Sequence, residues 1–186
     1  MSLVRTNGVN DPVVTESALA EKQMWEQIAF VEIGKVNQHY FTELENYIKL
    51  RVVIRRTVGD DKLTYIQTGH NEVGTDYSRK ILGADSTGKV ETTESSSASY
   101  INTDSGQGNK YQTDKPQTIV MNIDNFNKNV ETIFDWKTMA YYDDDIWGYS
   151  GLGYSNIAQK ENTLLITVGD NASTGTITVQ GLRNYV

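Results

Sequence analysis

Residues 25–50 read WEQIAFVEIGKVNQHYFTELENYIKL. Whether they wind into a helix or extend as strands decides whether the chain is α+β or wholly β. Trp25, Ile28, Ala29, Val36, Tyr40, Leu44, Tyr47 and Ile48 recur largely at spacings of three, four and seven, which follow one face of a helix. Thr15 or Ser17 supplies an N-cap, with Glu16 and Glu21 near the positive end of the helix dipole. Against this, Gly34 interrupts the stripe, and IAFVEIGKV passes equally well as a strand. The spacing predicts a helix over about 16–50, broken near Gly34. Before it, Asn7-Gly8 and Asp11-Pro12 are turn signals, and residues 1–15 read as an extended N-terminal arm.

Beyond residue 50 the texture becomes β-like. RVVIRRTV and LTYIQT flank the polar run Gly59-Asp60-Asp61-Lys62, the pattern of a β-hairpin. Residues 81–115 are mostly Ser, Thr, Gly, Asp and Lys, and read as a long exposed loop or a hairpin arm projecting from the body. QTIVMNI is strand-like. VETIFDW and KTMAYY are two strands or one bent strand. TLLITV and TITVQ flank a glycine-bounded loop, 169–175, suited to left-handed conformations. Seven or eight strands after one helical region predict a mainly β (α+β) fold. The expected body, residues 16–186, is one domain built as an antiparallel β-sandwich or jelly-roll-like unit.

Composition removes several chemistries. The 186 residues include no Cys and two His, His39 and His70, so thiol catalysis, disulfides and thiolate metal sites are excluded. The net charge of −7 argues against nucleic-acid coating, which needs a basic footprint. No apolar run approaches the length of a membrane span, and no secretory signal is visible at the N-terminus. No catalytic residue, metal ligand or cofactor is expected.

The candidate site is YYDDDIWGYSGLGY, residues 141–154. If 141–147 is a strand, Asp143 and Asp145 share a face about 7 Å apart and Asp144 points away. Such a pair suits half of a Ca²⁺ site or echoes a glycosidase acid pair. A solvated turn followed by a glycine-permitted loop at Gly148, Gly151 and Gly153 explains the same residues without chemistry. Tyr141, Tyr142, Trp147 and Tyr149 are the residue types enriched at protein interfaces, and that reading outweighs catalysis. A basic strip, Lys49, Arg51, Arg55 and Arg56, offers either an edge that resists aggregation or a partner in trans for the acidic strip of a neighbouring copy. The segment 148–153 lacks the strand–helix context of a dinucleotide loop. His70-Asn71-Glu72 has no second His nearby, and the Asp124–Asn129 run fails the Ca²⁺-loop pattern at Val130 and Trp136.

The N-terminal arm, the helix that follows it, the Ser/Thr/Gly-rich projecting segment and the Tyr/Asn/Asp-rich β body without Cys together resemble virion structural proteins of tailed bacteriophages and related viruses. The resemblance is of texture over the whole chain, and no motif carries it. It implies a capsid, decoration, neck or tail component, located in a virion. Such a subunit is non-enzymatic and works through contacts with itself and with other structural proteins. The alternative is a carbohydrate- or cell-surface-binding β-sandwich, in which Trp147 and Tyr149 stack on sugar faces.

Overall fold

The computed structural model describes residues 3–4, 14–15, 25–34, 36–59, 64–68, 77–103, 112–142, 144–169 and 173–183. Every regular element among them is a strand. Within the expected arm, β1 (Leu3–Val4) pairs antiparallel with β2 (Val14–Thr15). The expected helix over 16–50 is not found. Its described part forms β3 (Glu26–Ile33), β4 (Gln38–Phe41) and the start of β5 (Tyr47–Thr57); residues 16–24 lie outside the described residues. The physical reason lies in the partners. Ile28, Ala29 and Val31 pack against the core from an edge strand, and the β-branched run that follows in β5 is paired on both sides. Tertiary pairing overrides a helical spacing that includes few strong helix formers.

The remaining strands are β6 (Thr64–Thr68), β7 (Tyr77–Asp85), β8 (Val90–Ala98), β9 (Ile101–Asn102), β10 (Pro116–Asp124), β11 (Glu131–Tyr142), β12 (Asp145–Ala158), β13 (Leu164–Val168) and β14 (Thr174–Arg183). They form two antiparallel sheets, one of eight strands in the order β3-β14-β5-β10-β11-β12-β7-β8 and one of four in the order β4-β13-β6-β9. One hydrophobic core joins them, drawing Leu50, Val52, Ile119, Met121, Phe134 and Trp136 from the large sheet and Phe41, Ile66, Leu164 and Ile166 from the small one. This is a β-sandwich arrangement.

Two local expectations are corrected by this topology. RVVIRRTV and LTYIQT do not form a hairpin: β5 lies in the large sheet and β6 in the small one, so the chain crosses between layers there. Each strand finds longer partners elsewhere, β5 in β10 and β14 and β6 in β13. The first part of the Ser/Thr-rich segment belongs to a hairpin, β7–β8, but β7 pairs with β12 along its length, so the hairpin completes one end of the large sheet; residues 104–111 lie outside the described residues. VETIFDWKTMAYY is one continuous strand, β11.

Polar side chains tie the layers together across the core. The Tyr77 hydroxyl accepts from the Thr68 amide (2.9 Å) and donates to the Thr68 carbonyl (3.1 Å). The Thr103 carbonyl, next to β9, accepts from Trp136 Nε1 (3.1 Å) and Thr138 Oγ1 (2.6 Å) of β11. The large rings fit because glycine lies opposite them. A Cβ on Gly151 would fall inside the Trp136 ring, one on Gly83 inside the Tyr149 ring, and one on Gly181 against Tyr47. These glycines leave room for rings that cross the neighbouring strand. Gly151→Ala is therefore expected to lower stability by about 1–3 kcal/mol through overpacking, read as a lower midpoint in urea denaturation, whereas an unchanged midpoint would contradict the ring placement.

Candidate functional site: the outer face of the large sheet

Strict alternation along β10, β11 and β12 sends one set of side chains into the core and the other to solvent. The inner set of β12 is Trp147, Tyr149, Gly151, Gly153 and Ser155; the outer set is Ile146, Gly148, Ser150, Leu152 and Tyr154. Three of these five inner positions are thus spent on small residues, and the large aliphatic ones point outward. Cross-strand register then lines the outer face into rows. One row runs Arg55, Thr118, Met139, Gly148, Ala84, Val90 from β5 to β8. The next runs Val53, Val120, Lys137, Ser150, Leu82, Thr92, and the third Arg51, Asn122, Asp135, Leu152, Lys80, Glu94. A fourth runs Lys49, Asp124, Ile133, Tyr154, Ser78.

The apolar members of these rows are open to water. Leu152 is 64% exposed, Met139 58% and Leu82 52%, with Val90, Ile133, Ile146 and Tyr154 also exposed. Lys49, Arg51 and Arg55 lie on β5 and Glu94 on β8, with Asp124, Asp135, Lys137 and Lys80 on the strands between. Lys49 is held by Asp124 at 2.6 Å and Lys80 by Glu94 at 3.5 Å, while Arg51 and Arg55 make no ion pair among the described residues.

The sequence-predicted residues divide between this face and the interior. Arg51 and Arg55 project outward around Val53 as expected, but Arg56 does not belong to the strip. It points inward, where Nε donates to Gln117 Oε1 at 2.5 Å and Nη1 reaches Ser173 Oγ at 3.4 Å. Of the aromatic residues offered as contact material, Tyr142, Trp147 and Tyr149 are buried, with Trp147 and Tyr149 stacked at 5.8 Å and Tyr142 edge-on to both. They fill the end of the core and present no ring to a partner or a sugar. Tyr141 is half-buried, with the Lys115 ammonium 5.7 Å from its ring centre.

Nor is 141–147 one strand. β11 ends at Tyr142, β12 begins at Asp145, and Tyr142 pairs with Asp145 across a two-residue turn. Asp144 sits in that turn at φ 66°, as Asp tolerates, and accepts from Gln112 Nε2 at 2.5 Å. Asp145 accepts from Ser86 and from the Ile146 amide. Asp143, like His70, Asn71 and Glu72, lies outside the described residues. Gly148, Gly151 and Gly153 are strand positions rather than a loop, and none has a left-handed backbone. Among the described residues no three His, Asp or Glu side chains converge as metal ligands.

Sequence reasoning missed the environments of two polar groups, the buried Glu161 and the half-buried His39. Glu161 is 2% exposed; its carboxylate accepts from Gln159 Nε2 at 3.0 Å. Burial pushes its pKa up, partly opposed by bonds from Gln159 and Thr68. His39 faces Ile166 across β4–β13, and burial pulls its pKa down, partly opposed by a bond to the Val36 backbone. A third cluster locks the sheet edge. Glu26 accepts from Tyr47 and from Arg183 Nε at 2.8 Å, and the Tyr47 hydroxyl holds the Glu26 carboxyl below its ordinary pKa, with Arg183 adding to this. It joins β3, β5 and β14 and uses up all three side chains.

Because Glu161 is harder to ionise in the folded chain than in the unfolded one, folding loses stability as pH rises from the ordinary Glu value of about 4.3 through the folded pKa. Glu161→Gln is expected to raise the thermal midpoint at pH 7, with the gain shrinking towards pH 4. An equal effect at both values would contradict a buried, ionisable Glu161.

Compared with known proteins, the chain matches no family model, and no curated protein or solved structure matches it significantly.

Proposed function

We propose that this protein is a non-enzymatic structural subunit of a multimeric assembly and that the outer face of its eight-stranded sheet is the contact surface. The observation that carries this reading is the apolar group on that face: Leu82, Met139, Ile146, Leu152 and Tyr154, exposed side by side on β7, β11 and β12. Contiguous exposed apolar surface of this kind marks contact sites in soluble proteins. The face bears charges of both signs around its apolar centre, and the two hollows on it among the described residues are wide and open to solvent, which suits another protein surface better than a small substrate.

The titratable groups give the same direction. Glu26, Asp85, Asp145 and Glu161 are each occupied in holding turns or joining strands. With Trp147 and Tyr149 in the core, the carbohydrate-binding alternative loses the rings on which it rested. A virion component, as the sequence texture implies, is the kind of assembly we propose, with other structural proteins among its contacts. No helix among the described residues is long and apolar enough to cross a membrane.

Light scattering of the purified chain over a range of concentration tests the reading. We expect a mass above the 20.9 kDa of one chain, returning to one chain in Leu152→Asp. Replacing an exposed residue leaves the fold within about 0.5 kcal/mol, so the circular dichroism of that variant is expected to be unchanged. A single-chain mass for the wild type at every concentration overturns the reading.

A further inference from the structure

We infer that the outer face pairs with the same face of a second copy about a two-fold axis parallel to the strands, between β11 and β12. The inference rests on the contact-face reading above and names its partner. It starts from one glycine. Gly83, Gly151 and Gly181 make way for rings of their own chain, and Gly153 lies close to Ile101 and the Ser78 carbonyl. Gly148 does none of this. A Cβ there meets nothing nearer than the Ala84 carbonyl oxygen at 4.0 Å, and its backbone is not left-handed. Internal packing has no use for a glycine at 148, and a strand is weakened by one. What its bareness does is open a hollow in the outer face, floored by Gly148 and Ala84 and bordered by Ile146, Ser150 and Met139.

The order of strands supplies an occupant. The six strands that carry these rows run β5-β10-β11-β12-β7-β8, beside β14 and β3, and the midline of the six falls between β11 and β12. A two-fold rotation about that line lays β11 of one copy over β12 of the other, β10 over β7 and β5 over β8, and it keeps every row at its own height. Met139 then stands over the partner copy's Gly148 hollow, and by symmetry the reverse contact forms as well. In the next row Val120 meets Leu82; in the fourth, Ile133 meets Tyr154. In the third row Arg51, without an ion pair among the described residues, meets Glu94. Thus one operation places the exposed Met139 in the Gly148 hollow, Val120 on Leu82, Ile133 on Tyr154 and Arg51 on Glu94, while Asp135 faces Leu152 and Lys137 faces Ser150. Two twisted sheets stack in this aligned manner with interdigitating side chains. Six strands about 4.8 Å apart and four rows about 6.8 Å apart give a footprint on the order of 700 Å² per copy, close to the roughly 800 Å² per partner of a stable interface.

Charge exchange in the full chain, followed by sedimentation equilibrium, tests the pairing. Arg51 and Glu94 lie five strands apart within one chain, roughly 24 Å, so neither repairs the other internally. Arg51→Glu and Glu94→Arg are each expected to weaken the dimer by about tenfold or more, and the double variant to restore it to near wild type. Gly148→Val is expected to dissociate the dimer while leaving the chain folded, with an unchanged circular dichroism spectrum and a thermal midpoint that no longer depends on concentration. If the wild type dimerises and Leu152→Asp separates it, yet the double variant shows no rescue and Gly148→Val still dimerises, the two-fold pairing is overturned and the contact-face reading stands. If the wild type is a single chain at every concentration, both fall; a loss of stability in Leu152→Asp would then show the face covered by the chain's own residues.

Discussion

Three rings on the inner face of the large sheet, Trp136, Tyr149 and Tyr47, lie across neighbouring strands, and each requires a glycine beneath it. Close packing leaves no choice in the matter: interiors are filled at crystal-like density, and a ring and a Cβ cannot share one volume. Trp136 also carries a bond between the layers, its Nε1 donating to the Thr103 carbonyl beside the small sheet. Ring, glycine and cross-layer hydrogen bond therefore form one unit, and the position of β12 in the sheet depends on it.

That unit has a consequence on the opposite side. A strand has two faces and a fixed period of two. When β12 gives Gly151 and Gly153 to its inner phase, the volume of the core is supplied by β11, and the outer phase of β12 carries Ile146, Leu152 and Tyr154 without burying them. An antiparallel sheet that served only its own core would show water a polar face. Here the wet face holds apolar side chains framed by Arg51 and Arg55 on one side and Glu94 on the other. The arrangement that packs the interior and the arrangement that leaves aliphatic side chains on the outer face are two phases of one strand.

Much of this was legible in the amino-acid sequence, and the limits were physical. The alternation Leu164, Ile166, Val168 and the runs QTIVMNI and TITVQ mark strands because one face of each is buried, and all three proved to be strands. The region 25–50 misled because Ile28, Tyr40, Leu44 and Tyr47 fit a helical spacing by coincidence, while Leu44 lies in a connection between strands of different sheets. The run 141–154 misled in another way. Its Gly and Tyr content resembles a loop, but glycines at alternate positions opposite large aromatics are also the mark of a strand crossed by rings. The inverted phases of IWGYSGLGY, small residues within and aliphatic ones without, were the one signal of the outer face, and they become readable only once the buried phase is known.

The sequence by itself determined the strand character of QTIVMNI, TLLITV and TITVQ and the absence of thiol chemistry, because these follow from local propensity, composition and a period of two. Only the tertiary structure decided which strands share a sheet, that Arg56, Tyr142, Trp147 and Tyr149 are interior, and that Gly148 faces outward with nothing above it. Pairing between distant strands is chosen by the burial of a whole face at once, and no stretch of chain carries that information alone.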